Sequence, residues 1–282
     1  MRAKTLRQML SEPEPVVAPG AYDALSARLA EQAGFGAVYM TGFGASASLL
    51  GRPDIGLLSF AEMVDHARRL AAAVSVPLIA DADDGYGNPL NVQRTVRDYE
   101  SAGVAALHIE DQVAPKRCGH MSGKDVIDAA EMVEKVRAAV EARTGDLLII
   151  ARTDARAVEG LDAALARARS YLDAGADALF VEAPENEDEI AAVAAAFPGV
   201  PLVFNRVDGG RTPLLALDRI AELGFSLVIL PVTTLFAAAA AVRDTLARLR
   251  AGGEGAVPLQ FDEFTDLIGL PDAERLERRY AV

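Results

Sequence analysis

Short apolar runs recur along this chain, separated by longer segments in which apolar and charged positions alternate at helical spacing. Four of the runs share one grammar: Ala33-Gly34 to Thr41, Ala102-Gly103 to Glu110, Ala174-Gly175 to Glu182, and Leu223-Gly224 to Pro231. In each, a glycine suited to the left-handed C-cap ends a helix, and an apolar stretch follows that finishes on a polar or punctuating residue. Four further runs of strand length lie between them: Val16 to Pro19, Pro77 to Asp81, Leu147 to Arg152, and Pro201 to Asn205. Strands that are apolar throughout and alternate with helices, such as the alanine-rich segment Leu161 to Ala168, predict a parallel sheet covered by helices. Eight units is the number that closes a (β/α)8 TIM barrel, with an open doubly wound sheet as the alternative. Residues 1–250 are expected to form the barrel and residues 251–282 a C-terminal helical extension, packed on the barrel or on a neighbouring subunit.

In such barrels the active site lies at the C-terminal ends of the strands. Those ends carry Thr41-Gly42-Phe43-Gly44, Asp81-Ala82-Asp83-Asp84, Glu110-Asp111, Arg152-Thr153-Asp154, Glu182, Asn205-Arg206-Val207-Asp208 and Thr233-Thr234. Several carboxylates at one rim repel each other, so either some are protonated or a cation sits among them; the cation is the expectation here. The donors are hard oxygens with no histidine or cysteine cluster at zinc spacing, which selects Mg2+ or Mn2+. Asp83 is expected to bind directly, with Asp81, Glu110 and Glu182 holding coordinated waters. The alternative, that each acid caps the following helix, is preferred for Asp23 and Asp162.

Composition narrows the field. The chain has 282 residues, a formal charge of −13 and one cysteine, Cys118. Its acidity disfavours nucleic acid and anionic membranes as partners, and the lone thiol points to a cytoplasmic protein. The N-terminus suggests neither a signal peptide nor a lipidation motif, and the greasy segment Leu235 to Val242 is too short to span a bilayer. Long loops are expected after the second and fourth strands, Gly42 to Ser59 and Asp111 to Ala129, as a lid over the mouth. The second contains Lys116-Arg117-Cys118-Gly119-His120, where basic neighbours are expected to lower the thiol's pKa and Gly119 to let the backbone approach a ligand. Cys118 is the candidate proton donor. No lysine stands at a strand end, which argues against a Schiff base. His66 and His108 are expected to be packing residues, and Gly42-Phe43-Gly44-Ala45-Ser46-Ala47 a carboxylate-binding turn rather than a dinucleotide fingerprint.

Taken together, Tyr22-Asp23-Ala24, Pro53-Asp54, Asp81-Ala82-Asp83 with Gly85-Tyr86-Gly87, Glu110-Asp111-Gln112, Lys116 to His120, Ala151 to Ala155, and Glu182-Ala183 resemble the isocitrate lyase and phosphoenolpyruvate mutase superfamily. The likeness runs from about Leu6 to Arg250 and is to the short branch that contains methylisocitrate lyase. It implies an Mg2+-dependent cleavage of a small 2-hydroxy or 2-oxo acid. The carboxylate would rest on Thr41, the Gly42-Phe43 backbone and Arg152, with Asp54 and Asn205 completing the substrate site. Cys118 would protonate the departing enediolate, aided by Lys116, Arg117 and His120, while Tyr39 and Glu182 orient groups or relay protons. A homotetramer that exchanges a terminal helix between paired subunits is also implied. The chain departs from the pattern at Asp84, where Thr is frequent, and at Phe43, where Ser or Gly is common. Asn205 to Pro213 is similar to the corresponding loop of dimethylmalate lyase and carboxyphosphonoenolpyruvate mutase relatives, with Arg206 and Asp208 as substitutions. These departures favour a substituted malate over 2-methylisocitrate, with Arg206 expected to meet the distal end of the substrate. A phosphonomutase and an oxaloacetate-cleaving enzyme are the alternatives.

Overall fold

A computed structural model describes residues 4–255 and 259–281. Its strands are β1 Val16–Ala21, β2 Val38–Met40, β3 Leu78–Asp81, β4 Ala106–Glu110, β5 Leu148–Thr153, β6 Ala178–Val181, β7 Val203–Asn205 and β8 Leu227–Leu230. Every expected apolar run holds one of them. All pair in parallel in the order β6-β5-β4-β3-β2-β1-β8-β7, and a parallel bridge from Leu179 to Leu202 brings β6 to β7. This is a nearly closed (β/α)8 TIM barrel, and the pairing of β1 with β8 excludes the open sheet. The four repeat glycines, Gly34, Gly103, Gly175 and Gly224, all have positive φ, as helix-ending glycines should.

Strand side chains alternate in direction, and a barrel turns that alternation into two cores. Ile79, Ala106, Ile150, Phe180, Val203 and Ile229 belong to the inner one, joined by Leu6 and Leu10 of the first helix. Leu78, Leu107, Ile149 and Leu179, one position out of phase, pack in the outer core with residues of the helices. Continuing the inward series by steps of two to the C-terminal strand ends reaches Asp81, Glu110, Arg152, Glu182 and Asn205. The residues that make the barrel's interior apolar therefore share a phase with those that make its mouth charged.

Asp23 caps the helix Ala24–Gln32, accepting the Ser26 N–H at 2.7 Å. Asp162 does not cap: it lies in the first turn of Leu161–Asp173, whose N-cap is Gly160, and there it complements the helix dipole. The segment after β2 is also not the long loop expected, because Gly42–Leu50 is a helix that Thr41 caps and Gly51 ends. The chain divides into two compact units, one ending at Thr234 and the other starting at Leu235. Nearly all of the helix Thr233–Arg250, which completes the eighth repeat in sequence, thus belongs to the second unit, with Phe261–Leu267 and Leu270–Tyr280. Among the described residues no helix is long and apolar enough to cross a membrane.

Candidate active site

At the barrel mouth the inward strand ends and the loop after β4 line a small cavity of about 40 Å³. Tyr39, Thr41, Phe43, Asp54, Asp81, Glu110, Arg152, Glu182 and Asn205 line it, together with Lys116 to His120. One backbone donor of the expected substrate-binding turn is engaged within the chain. The Gly42 N–H donates to Asp81 Oδ2 at 3.2 Å, and the Asp83 N–H donates to Asp81 Oδ1 at 3.0 Å. A Cβ at position 42 would lie 2.4 Å from that carboxylate, so glycine is required there. The Gly42 N–H is thus engaged by the chain's own Asp81 carboxylate. Thr41 Oγ1 accepts the Gly44 N–H at 3.2 Å, and its side chain and that of Phe43 still face the cavity.

Six buried carboxylates, Asp54, Asp81, Asp83, Glu110, Asp154 and Glu182, surround three buried cationic side chains, Lys116, Lys124 and Arg152. Lys116 Nζ lies 2.7 Å from Asp54 and 2.5 Å from Asp83. Burial, reinforced by Asp81 and Asp54, nevertheless outweighs this ion pair and pushes Asp83 up to about 7. Glu110 is driven well above the usual carboxylate range, first by burial and then by Asp154 and Asp81, against the pull of Arg152. One Glu110 oxygen, Oε1, is buried without a hydrogen-bond partner. For Asp81 burial is again the largest influence, but His108, Lys116, Arg152 and the Asp83 N–H together overcome it and hold the carboxyl at about 2. Crowded acids of this kind, with an unsatisfied oxygen among them, fit a hard divalent cation.

His108 packs against Tyr39 and Phe180, as expected of a packing residue. It occupies the inward phase of β4 between Ala106 and Glu110, and ligand atoms of Asp81, His108 and Glu110 lie within 4.8 Å of one another. Its Nε2 is 2.8 Å from the Tyr39 hydroxyl, and burial keeps it neutral, at about 4. Tyr39 is fully buried, which raises its phenol well above 10 and keeps it protonated. His66 is buried on the helix Phe60–Ala73, also as expected of a packing residue.

The loop after β4 is tethered at several points. The Gln112 carboxamide clamps the Arg117 backbone, accepting its N–H at 2.9 Å and donating to its carbonyl at 2.8 Å, while the Arg117 residue is exposed. The Cys118 N–H donates to the Asp54 carbonyl at 3.2 Å. The thiol is half-buried, and its environment reverses the expectation of a lowered pKa: burial first, then Asp54 and Glu182, push it up to about 11. Lys116 is committed to two carboxylates, and His120 is lowered, chiefly by burial. The group is a thiol, not a thiolate, which suits an acid more than a nucleophile. The Arg211 N–H donates to His120 Nδ1 at 3.0 Å, so the neutral ring carries its proton on Nε2, 3.4 Å from Glu182. Asn205 Nδ2 donates to Glu182 at 3.1 Å, and Arg152 Nε lies 3.2 Å from Glu110.

Arg206 is the expected site residue that the fold turns elsewhere. Its Nε donates to the Leu215 carbonyl at 3.3 Å, while Val207, Pro231 and Val232 line the cavity instead. The side chain that follows the inward Asn205 points out of phase. Arg206→Met should therefore change kcat/KM for any accepted acid by less than about threefold, with a modest effect on stability. A large loss confined to one substrate would bring the guanidinium back into the site. Asp154, one of the strand-end acids, and Lys124, for which the sequence suggests no role, do not line the cavity but support it: Asp154 accepts Arg152 Nε at 2.9 Å and Lys124 Nζ at 2.7 Å. Asp154 was readable as the next inward step beyond Arg152. Nothing in the sequence marks Lys124, which sits in an irregular loop.

Residues 6–250 match the phosphoenolpyruvate phosphomutase family. The chain is 47% identical to 2,3-dimethylmalate lyase of Eubacterium barkeri over 99% of its own length and 98% of that protein. It is 45% identical to the chloroplastic carboxyvinyl-carboxyphosphonate phosphorylmutase of Arabidopsis thaliana, covering 97% of this chain and 83% of the relative. Among solved structures, oxaloacetate acetylhydrolase in complex with 3,3-difluorooxalacetate superposes with a TM-score of 0.95 at 40% identity, covering 98% of this chain and 96% of that one.

Proposed function

Because the chain belongs to the phosphoenolpyruvate phosphomutase family, we propose that it is a divalent-metal-dependent carbon-carbon lyase acting on a substituted malate or a 2-methylisocitrate-like 2-hydroxy acid. The products are an α-oxo acid and a second carboxylic acid. The observation that carries this reading is that the half-buried Cys118 lines the same cavity as the crowded carboxylates of Asp81, Glu110 and Glu182.

Asp83, with Asp81 and Glu110 acting through waters, would hold Mg2+ or Mn2+, which when bound makes a neighbouring hydroxyl more acidic. Arg152 supplies a buried guanidinium for the substrate carboxylate, steered by Asp154. Glu182, held by Asn205 and facing the His120 N–H, accepts the proton of the 2-hydroxyl. The bond between the hydroxyl-bearing carbon and its neighbour then breaks, and its electron pair stays on the neighbour as an enediolate. Cys118 donates its proton to that carbon, and the proton taken up by Glu182 makes good the loss. Tyr39 orients groups through its protonated phenol. Thr41 and Phe43 shape the wall, and Gly119 brings the loop backbone close to Glu182. Lys116 and Arg117 add positive charge where negative charge develops.

Two neighbouring chemistries use the same parts. The relation to a phosphorylmutase supports a phosphonomutase reading, and the superposition on oxaloacetate acetylhydrolase supports oxaloacetate cleavage. Assays with Mg2+ against substituted malates, 2-methylisocitrate and oxaloacetate, read by released α-oxo acid or oxalate, separate the lyase from the latter. Phosphorus NMR with phosphonopyruvate identifies the former. A homotetramer with an exchanged terminal helix is also proposed; it is supported by the exposure of Leu246, Phe261, Leu276 and Tyr280 on helices that bury no residue. A cytoplasmic location suits a chain with a single free thiol.

A further inference from the structure

Lys124 is not in the cavity wall, yet its side chain is only 2% exposed while residues 121–123 around it are exposed. Its ammonium donates to the Gly119 carbonyl at 2.5 Å and to Asp154 Oδ1 at 2.7 Å. Asp154 also takes both nitrogens of the Arg152 fork, Nε at 2.9 Å and Nη2 at 3.1 Å. Asp154 is itself fixed from behind, because its N–H donates to Asp111 Oδ1 at 2.8 Å, and Asp111 Oδ2 accepts the hydroxyls of Thr153 and Tyr171. One rigid carboxylate thus joins a loop lysine to the guanidinium proposed to hold the substrate. Gly119, whose carbonyl Lys124 grips, directly follows Cys118. A Cβ at position 119 would lie 1.9 Å from Glu182 and 2.5 Å from Arg152, so the loop backbone is pressed onto the site at that point.

We propose that Lys124 is a positioning residue: through Asp154 and the Gly119 carbonyl it sets the depth of the Cys118 thiol relative to Arg152. The idea rests on the lyase reading for its effect on turnover, but the position of the thiol can be read without any substrate. A lysine that only contributed to stability would shift thermal unfolding and leave the thiol where it is.

The chain has one cysteine, so alkylation by iodoacetamide reports on this segment alone. In Lys124→Met the alkylation rate at neutral pH should rise about tenfold or more, because local opening exposes the thiol. On an accepted acid kcat should fall by at least about tenfold, with a smaller change in KM, since the proton donor and not the binding charge is displaced. Lys124→Arg, which keeps a cation for both acceptors, should recover most of the slow alkylation. If Lys124→Met does not fold, Lys124→Gln makes the same comparison, keeping a donor for Gly119 without the charge for Asp154. Alkylation of Lys124→Met, or of its substitute Lys124→Gln, as slow as that of the wild-type chain would overturn the proposal even if malates are cleaved. Failure of the wild-type chain to cleave any malate would overturn the lyase reading and leave the alkylation comparison to decide on Lys124.

Discussion

Chelation of divalent cations, or replacement of Asp83 by alanine, should abolish turnover to the limit of detection. Six buried carboxylates face three cationic side chains at the mouth, and one Glu110 oxygen has no hydrogen-bond partner. Without a cation the substrate's carboxylate would add further negative charge to an already crowded site. Adding Mg2+ or Mn2+ back to the chelated wild-type protein should restore activity, and Asp83→Ala should not recover at any ordinary concentration. The pH dependence has a definite sign. Asp83 is raised to about 7 and carries a proton below that point, which a cation must displace, so apparent Mg2+ affinity should weaken as pH falls from 8 to 6. Titration of Mg2+-dependent activity at the two pH values measures this. Full activity in EDTA would remove the cation from the account.

Cys118→Ser is expected to lower kcat by about 10²-fold or more, the usual scale for loss of a positioned acid, with KM and the folded structure largely kept. Serine keeps the size but holds its proton far more tightly. The raised pKa of the thiol, about 11, carries a second consequence. The donor form persists throughout the neutral range, so kcat should show no fall due to Cys118 below roughly pH 10. The free enzyme should also be alkylated slowly, opposite to what the basic neighbours suggest. Steady-state kinetics of the serine variant decides the first point and the alkylation rate of the wild-type chain the second. Near-normal kcat in Cys118→Ser would assign the proton to another group.

Much of this site could be read from the chain because a barrel converts strand periodicity directly into geometry. The run Leu147 to Ala151 is apolar at every position and so carries no alternation of its own; the structure turns Ile150 inward, and Arg152, two residues on, follows it into the cavity wall. The same phase places Asp81, Glu110, Glu182 and Asn205 in the cavity wall and turns Arg206 away. Arg206 was a site candidate from the likeness of its loop to those of relatives, a likeness that does not say which way the side chain turns. His108 packs against Tyr39 and Phe180 as expected, and as an inward residue one layer below the mouth it also stands near Asp81 and Glu110, a proximity the strand pattern alone does not announce. The helix Gly42–Leu50 was hidden by its glycines, which lower helix propensity, although Thr41 with Gly51 forms a regular pair of caps. What no local pattern encodes is the path of the loop after β4. Its tethers, Lys116 to Asp54 and Asp83 and Lys124 to Asp154, join residues 30 to 62 positions apart.

The lyase account is tested most directly by incubating the protein with Mg2+ and 2,3-dimethylmalate in D2O and following the mixture by proton NMR. Cleavage between the second and third carbons should give pyruvate and propionate in equal amounts, the propionate carrying one deuteron at its second carbon from an exchanged Cys118 thiol. Failure to release an α-oxo acid from this or any other substituted malate, with the Mg2+ site occupied and the protein folded, would contradict the account.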